Sequence, residues 1–175
     1  IYLLASKERF VSQGKKLLYA FWDTRQANVI MEDFRLIDST FGGFISGKIL
    51  DSAIIGVLCF VVVSIMKMPY PMLISVIVGV TNIIPFFGPF IGAVPCALLI
   101  LMVNPMQCLY FIIFIWILQQ FDGNFLGPKI LGDSTGLSGF WIIFSITIFS
   151  GLMGVPGMIL GVPIFAVFYA LIKRY

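Results

Sequence analysis

TNIIPFFGP, residues 81–89, lies near the middle of the longest uncharged run in the chain. This run covers 68–121, which is 54 residues without Asp, Glu, Lys or Arg. A helix of about 20 apolar residues spans the hydrocarbon core of a bilayer, so the run holds more than two such lengths. The sequence therefore predicts a membrane protein, with apolar segments on both sides of this stretch.

Two prolines interrupt the apolar run at its centre. Pro85 has no N–H to donate, and Pro89 biases Gly88 away from helical backbone. We therefore expect a helix that enters from Pro71 to kink or stop near Ile84. In lipid, a broken helix is tolerated only against protein or a watery cavity, and such breaks often mark the binding sites of transporters.

Composition excludes several classes of protein. The chain of 175 residues is 60% hydrophobic and 11% charged, whereas soluble domains carry about 25% charged residues. A net charge of +3 without basic-aromatic patterning gives no reason to expect a nucleic-acid partner. The chain has no histidine, no phosphate-binding glycine loop and no metal-ligand spacing, so we expect no enzyme activity, no metal and no cofactor. The three cysteines lie in apolar runs and are interpreted as small apolar fillers.

The chain divides by composition into two parts. Residues 1–40 carry most of the charge, and their apolar side chains recur at helical spacing, which predicts an amphipathic cytoplasmic arm. A flexible linker is the alternative. Residues 1–5 are interpreted as the end of an earlier helix, and residues 41–175 as the transmembrane region.

The first predicted span contains two opposite charges. The uncharged part of this segment, 52–66, is too short to cross a bilayer, so the helix is expected to begin near Phe44. Lys48 and Asp51 then lie three residues apart on one face of its first turns, as a possible ion pair. The pair is interpreted either as a lysine that reaches the membrane surface or as a buried charged site.

A second uncharged run, 134–172, is divided by Gly154-Val155-Pro156-Gly157 into two apolar arms, 140–155 and 157–172. Glycines four apart, followed by a proline, occur here and in the first run. This pattern indicates either an internal repeat or simply close helix packing. The pairs are Gly88 with Gly92, and Gly157 with Gly161.

Polar residues end the long uncharged run and are the best candidates for a solute or ion site. Asn82 precedes the first break and either contacts the solute or bonds to freed backbone carbonyls. The segment after Phe121 is predicted to be a loop because Gly127, Pro128 and Gly132 follow. The polar residues on both sides of Phe121 either cap a helix at the membrane interface or coordinate a solute or coupling ion, with Asp122 as the proton or cation candidate. They are Gln119, Gln120, Asp122 and Asn124.

Positive charge predicts the orientation of the chain. With the spans above, ten Lys and Arg residues lie on one side of the membrane and only Lys67 on the other. Because Lys and Arg are enriched on the cytoplasmic side, we expect the N-terminal arm and the C-terminus to be cytoplasmic. Re-entrant and fully crossing hairpins give the same charge distribution, so both remain open.

Three motifs in order resemble the autoinducer-2 exporter family, also known as the PerM-type permeases, over about Phe41 to Phe168. They are NIIPFFGP at 82–89, QQFDGNFLGPKI at 119–130 and GVPGMILGVP at 154–163. The resemblance implies a bacterial inner-membrane protein that forms oligomers, pentamers in some members, and whose first helices precede this chain. It also implies export of autoinducer-2 or sodium/proton antiport, and a sporulation branch exists. Members often have a His-Pro pair where this chain has Ser138-Gly139.

From these observations we predict an all-α, polytopic membrane protein with broken or re-entrant helical hairpins and an amphipathic N-terminal arm. The predicted function is secondary transport of a small polar solute or cation by alternating access, by a homo-oligomer among membrane lipids. The alternatives are a membrane structural or assembly protein without flux, and a passive oligomeric pore. The predicted solute-binding residues, which include both helix breaks, are Asn82, Pro85, Gly88, Gln119, Gln120, Asp122, Asn124, Pro156 and Gly157.

Overall fold

The computed structural model describes residues 23–131 and 136–174, and within these ranges every regular element is helical. A π-helical turn, Asp122–Leu126, joins two of the helices. This confirms the all-α prediction. The helices are α1 (Thr24–Ile65), α2 (Pro71–Thr81), α3 (Gly88–Val103), α4 (Pro105–Phe121), α5 (Gly127–Leu131), α6 (Gly139–Met153) and α7 (Val155–Arg174).

Three stretches are long and apolar enough to cross a bilayer, namely Thr24–Ile65, Pro105–Leu126 and Val155–Lys173. The helices α2, α3 and α6 are apolar but shorter. Large hydrophobic side chains are exposed along all of these helices. In water such a surface would be strongly unfavourable, so the chain is a polytopic membrane protein.

The chain divides into two compact units between Ser39 and Thr40. The helix α1 begins at Thr24 and not near Phe44, so the predicted start was wrong. Gly42 and Gly43 do not end the helix, because a glycine costs only about 1 kcal/mol relative to alanine and keeps its N–H. The predicted earlier helix at 1–5, and the amphipathic pattern up to residue 22, lie outside the described residues.

The first hairpin is broken where the sequence predicts it. The helix α2 ends at Thr81, and α3 begins at Gly88 after a tight turn in which Phe86 has a φ of 63°. A Cβ atom at Gly88 would overlap the carbonyl oxygen of Thr81, and one at Gly92 would overlap the Thr81 side chain. The two glycines therefore allow α3 to fold back closely along α2.

The second hairpin has the same construction. The helix α6 ends at Gly154, whose φ is 64°, and α7 begins at once with Val155. A Cβ atom at Gly157 would overlap the carbonyl oxygen of Phe149, and one at Gly161 would lie 2.8 Å from the Phe149 Cβ. In both hairpins, a glycine pair four residues apart thus packs on a single residue of the preceding helix, which favours the internal-repeat interpretation.

Two apolar clusters hold the hairpins to α1. The larger contains buried residues of α1, α2, α3 and α4, and the smaller joins Phe44 of α1 to Ile146 of α6 and Val162 of α7. Beside the larger cluster, α1 and α2 approach each other closely, since a Cβ atom on Gly79 would lie 3.1 Å from the Gly56 Cα. Small residues commonly permit such close approach of helices in membranes. The clusters thereby fix α1 against both hairpins.

Asn104 separates α3 from α4, and its Oδ1 accepts hydrogen bonds from the backbone N–H groups of Met106 and Gln107 at 3.0 and 3.4 Å. We expect Asn104→Ala to lower the free energy of unfolding by about 1 kcal/mol, because two N-terminal donors of α4 lose their acceptor. Unfolding of the purified protein in detergent measures this. Asn104→Ser retains a capping oxygen and should stay close to wild type. An equal loss in both variants would contradict the capping role.

Candidate functional site

The charged pair of α1 is buried. The Lys48 Nζ lies 2.8 Å from the Asp51 Oδ2, and both residues face the interior of the bundle, with Asp51 fully buried. The alternative of a lysine reaching the membrane surface is therefore wrong for this pair. Buried charges in membrane helices face the protein interior and mark functional sites by default.

Asn82 connects this pair to a second carboxyl group. It is the first residue after α2, and its side-chain Nδ2 donates to the Asp51 Oδ2 at 3.2 Å and to the Asp122 Oδ2 at 3.5 Å. Since these hydrogen bonds go to side chains, Asn82 does not bind the carbonyls freed by Pro85. The end of α2 thus places the Asn82 amide beside two buried carboxyl groups.

Asp122 is placed by the π-helical turn that follows α4. The N–H of Gly127 donates to the carbonyl of Asp122, five residues earlier, and the chain continues into α5. The predicted loop after Phe121 was therefore wrong up to Leu131, and Gly132 lies outside the described residues. Such π-turns occur frequently at functional sites, because the extra residue redirects the side chains of one turn.

Lys48, Asp51, Asn82 and Asp122 form a buried polar cluster, and several polar atoms in it or beside it have no hydrogen-bond partner. Among the described residues, the Oδ1 atoms of both Asp51 and Asp122 are buried without a hydrogen bond, as is the Nε2 of Gln119. A buried polar atom without a partner usually costs about 1–3 kcal/mol. These atoms are therefore candidates for binding a solute, a water molecule or an ion.

A cavity of about 980 Å³ adjoins the cluster. Its polar lining is concentrated in α1, the end of α2 and the end of α4, whereas its remaining walls are apolar and aromatic. Binding sites for small molecules are commonly of this kind, with apolar walls and a few converging polar groups. The polar residues are Lys48, Asn82, Gln119, Gln120, Asp122 and Asn124.

Most of the predicted site residues thus line one cavity, and Pro85 also lies in its wall. Asn124 additionally bonds the carbonyl and the side chain of Gln120, at 2.8 and 3.2 Å. Gly88, Pro156 and Gly157 are not among the lining residues. The structure therefore gives these three positions a packing or turn role, and the second hairpin reaches the cavity through its middle, at Ile142 and Val162.

Several backbone N–H groups at the two helix breaks are bonded within the turns. Around the first break, the N–H groups of Asn82, Ile83, Ile84, Phe87 and Gly88 all donate to nearby carbonyls. At the second break, Gly154 and Met158 do the same. Tight turns restore these bonds locally, so side chains supply the polar groups of the cavity.

The aromatic side chains that line the cavity were not predicted from the sequence. Phe44, Phe90, Phe111 and Trp116 line the cavity, but each lies in a continuous apolar run that gives no sign of which face is turned inward. One signal was available, since Ala93 and Ala97 lie four apart on α3 and both line the cavity. Small residues at this spacing leave room between helices. The link from Asp51 to Asp122 was also missed.

Other polar side chains form hydrogen bonds within their own helices. The hydroxyl groups of Ser145 and Thr147 donate to the carbonyls of Ile142 and Ile143, at 2.8 and 2.9 Å. Cys59, Cys96 and Cys108 are free and buried in the larger apolar cluster, which agrees with their interpretation as apolar fillers. None of these residues adds to the candidate site.

Relatives of the chain are described as transport proteins. "Putative transport protein YueF" of Bacillus subtilis is 32% identical over 166 residues, which cover 95% of this chain and 44% of that protein. "Putative transport protein YrrI" of the same species is 39% identical over 133 residues, covering 76% and 38%. "Putative transport protein YhhT" of Escherichia coli is 27% identical over 125 residues, covering 71% and 36%.

The chain therefore spans less than half the length of these curated relatives. No solved structure matches it significantly. The model of one protein family, described as the AI-2E family transporter, matches residues 1–175. Since this match covers the whole chain, the chain, with its buried polar cluster beside a cavity, belongs to the AI-2E family of transporters.

Proposed function

We propose that this chain forms the solute pathway of a secondary transporter, and that the cavity binds a small polar solute such as an autoinducer-2-type furanone. The observation that carries the proposal is the convergence of Asn82 and Asp122 on one end of the cavity, although 40 residues separate them. Polar groups at membrane depth are expensive and are usually retained for function.

The division of the cavity lining fits a small ring that carries hydroxyl groups. Amides and carboxylates at the polar end accept and donate hydrogen bonds. The aromatic side chains opposite, such as Phe111 and Trp116, offer flat apolar surface to a ring. This arrangement supports a neutral or weakly charged organic solute over a large charged one.

We infer the cellular setting from charge and family. The excess of Lys and Arg on one side supports a bacterial inner-membrane protein with a cytoplasmic N-terminal arm and C-terminus. The exposed apolar side chains of the described helices would contact lipids or further copies of the chain. A homo-oligomer, including a pentamer, is part of this proposal.

We expect Asn82→Ala and Asp122→Ala to reduce flux while the protein still inserts and assembles. Each change removes a hydrogen-bonding group at the polar end, and hydrogen bonds to charged groups are worth about 1.5–3 kcal/mol, or about 10-fold to 100-fold in flux. The measurement uses the full-length protein in liposomes, with an autoinducer-2-type furanone as the probe.

Gln107→Ala is the matched control. This residue carries an amide on α4 but bonds the Lys67 carbonyl, at 3.3 Å, and does not line the cavity. Its flux should equal that of the wild type. Unchanged flux in both Asn82→Ala and Asp122→Ala would refute the site, and so would an equal loss in Gln107→Ala.

One observation favours a second candidate function, the antiport of monovalent cations. The cluster carries two carboxyl groups but one ammonium group, and an excess negative charge attracts a cation. Radioactive sodium flux in the same liposomes separates this function from furanone transport. Flux without saturation would indicate a passive pore. Full biological rescue by a variant without flux would indicate a structural or assembly protein.

A further inference from the structure

Formal charge does not balance in the buried cluster. Asp51 and Asp122 supply two carboxyl groups, and Lys48 supplies one ammonium group. In the part of the chain that the structure describes, α2, α3, α4 and α6 carry no charged side chain, and Lys129 of α5 and Lys173 of α7 are exposed. An uncompensated buried ion costs several kcal/mol even after relaxation. The cluster therefore requires one further positive charge to become neutral.

The geometry shows where that charge would lie. The Asn82 Nδ2 lies 3.2 Å from the Asp51 Oδ2 and 3.5 Å from the Asp122 Oδ2, so the two carboxyl groups flank one amide nitrogen. Both Oδ1 atoms are buried and without a partner among the described residues. Two ionised carboxylates only accept hydrogen bonds, so neither can satisfy the other. One proton on either group would supply the missing donor and remove the excess charge.

The surrounding groups favour a proton over a metal ion. Both groups that reach the Asp51 Oδ2, the Lys48 ammonium and the Asn82 amide N–H, are donors. Metal ions such as sodium and calcium need several oxygen ligands, and donors turned toward the site would repel them. The described residues also contain no group of three or more His, Cys, Asp or Glu residues that could hold a metal.

We propose that Asp51 and Asp122 together bind one exchangeable proton, which enters and leaves through the cavity by way of Asp122. Asp122 lines the cavity, whereas Asp51 lies behind it and is fully buried. Uptake converts one carboxylate and a hydronium ion into a carboxylic acid and water, and release reverses this step. Asn82 bonds both carboxyl groups, and Lys48 pairs with Asp51.

This inference deepens the proposed function, since a proton held at the solute cavity could couple transport to a proton gradient. Proton binding can nevertheless be measured without any transport. The experiment is infrared difference spectroscopy of the full-length protein in lipid nanodiscs during a pH titration, following the C=O stretch of protonated carboxyl groups. We expect one pH-dependent carboxylic acid in the wild type that is lost in both Asp51→Asn and Asp122→Asn.

The exposed Asp38, also on α1, provides the control. Asp38→Asn should keep the signal, and gel filtration of each variant shows whether it folds and assembles. A signal that persists in both cluster variants would overturn the proposal, as would a signal that follows sodium concentration at constant pH. Such a result would leave the flux experiments above unaffected.

A second variant keeps the test independent of the asparagine substitutions. In Lys48→Met the ammonium is absent, so two protons are needed for neutrality, and the number of buried carboxylic acids should rise from one to two. An unchanged number in a folded Lys48→Met protein would show that charge balance does not govern the cluster. Loss of the signal in this variant would overturn the proposal in the same way.

Discussion

Gly88→Ala and Gly157→Ala should each prevent their hairpin from closing, with a loss of about 3 kcal/mol or more in folding stability. In both cases the added methyl group would overlap a backbone carbonyl oxygen, that of Thr81 or of Phe149. A backbone atom in the preceding helix cannot rotate away as a flexible side chain can. The expected result is poor accumulation and early thermal unfolding in detergent.

The chain offers a close control for this prediction. Gly151 lies in α6, and a Cβ atom there would have no neighbour within 4 Å. Gly151→Ala should therefore be neutral or slightly stabilising, because alanine favours the helix by about 1 kcal/mol. Wild-type stability in Gly88→Ala and Gly157→Ala would show that the hairpins do not depend on close contact at these glycines.

Asp51→Ala should destabilise the protein by about 3–5 kcal/mol, because it leaves a buried ammonium group without its closest partner. Lys48 is 8% exposed, and its Nζ lies 2.8 Å from the carboxylate that would be removed. The Asn82 amide would lose the same acceptor. Thermal unfolding of the purified protein, compared with wild type, measures the loss.

The double variant Lys48→Met/Asp51→Leu distinguishes an unpaired charge from lost packing. Replacing both partners of a buried ion pair with apolar residues is often close to neutral. We therefore expect the double variant to be more stable than Asp51→Ala. If the double variant is less stable than Asp51→Ala, the damage in the single variant does not come from the unpaired ammonium.

Some residues of the buried polar cluster could be predicted from the sequence, whereas their contacts could not. Asn82 was selected because it precedes a helix break, and Gln119 and Asp122 because they lie at the end of the long uncharged run, where polar groups are rare. Lys48 and Asp51 were paired from their spacing of three residues. Nothing in the spacing connected that pair to Asn82, since Asp51 and Asn82 are 31 positions apart and the whole of α2 lies between them.

Local rules also failed where tertiary packing intervened. The length needed to span a bilayer placed the start of the first helix near Phe44, but α1 begins at Thr24. Gly127 and Pro128 suggested a loop, but a π-turn carries the chain from α4 into α5. The two breaks were assigned equal roles in the site, and only the first of them lines the cavity.

By itself, the sequence determined that the chain is helical and embedded in a membrane, because its long uncharged runs cannot be solvated by water. It also determined where the hairpins break, since proline cannot continue the hydrogen bonding of a helix and glycine readily adopts turn conformations. Only the tertiary structure decided which polar groups share a site. Helix packing brings together side chains that are distant along the chain, and it joins the carboxyl groups of Asp51 and Asp122 through Asn82.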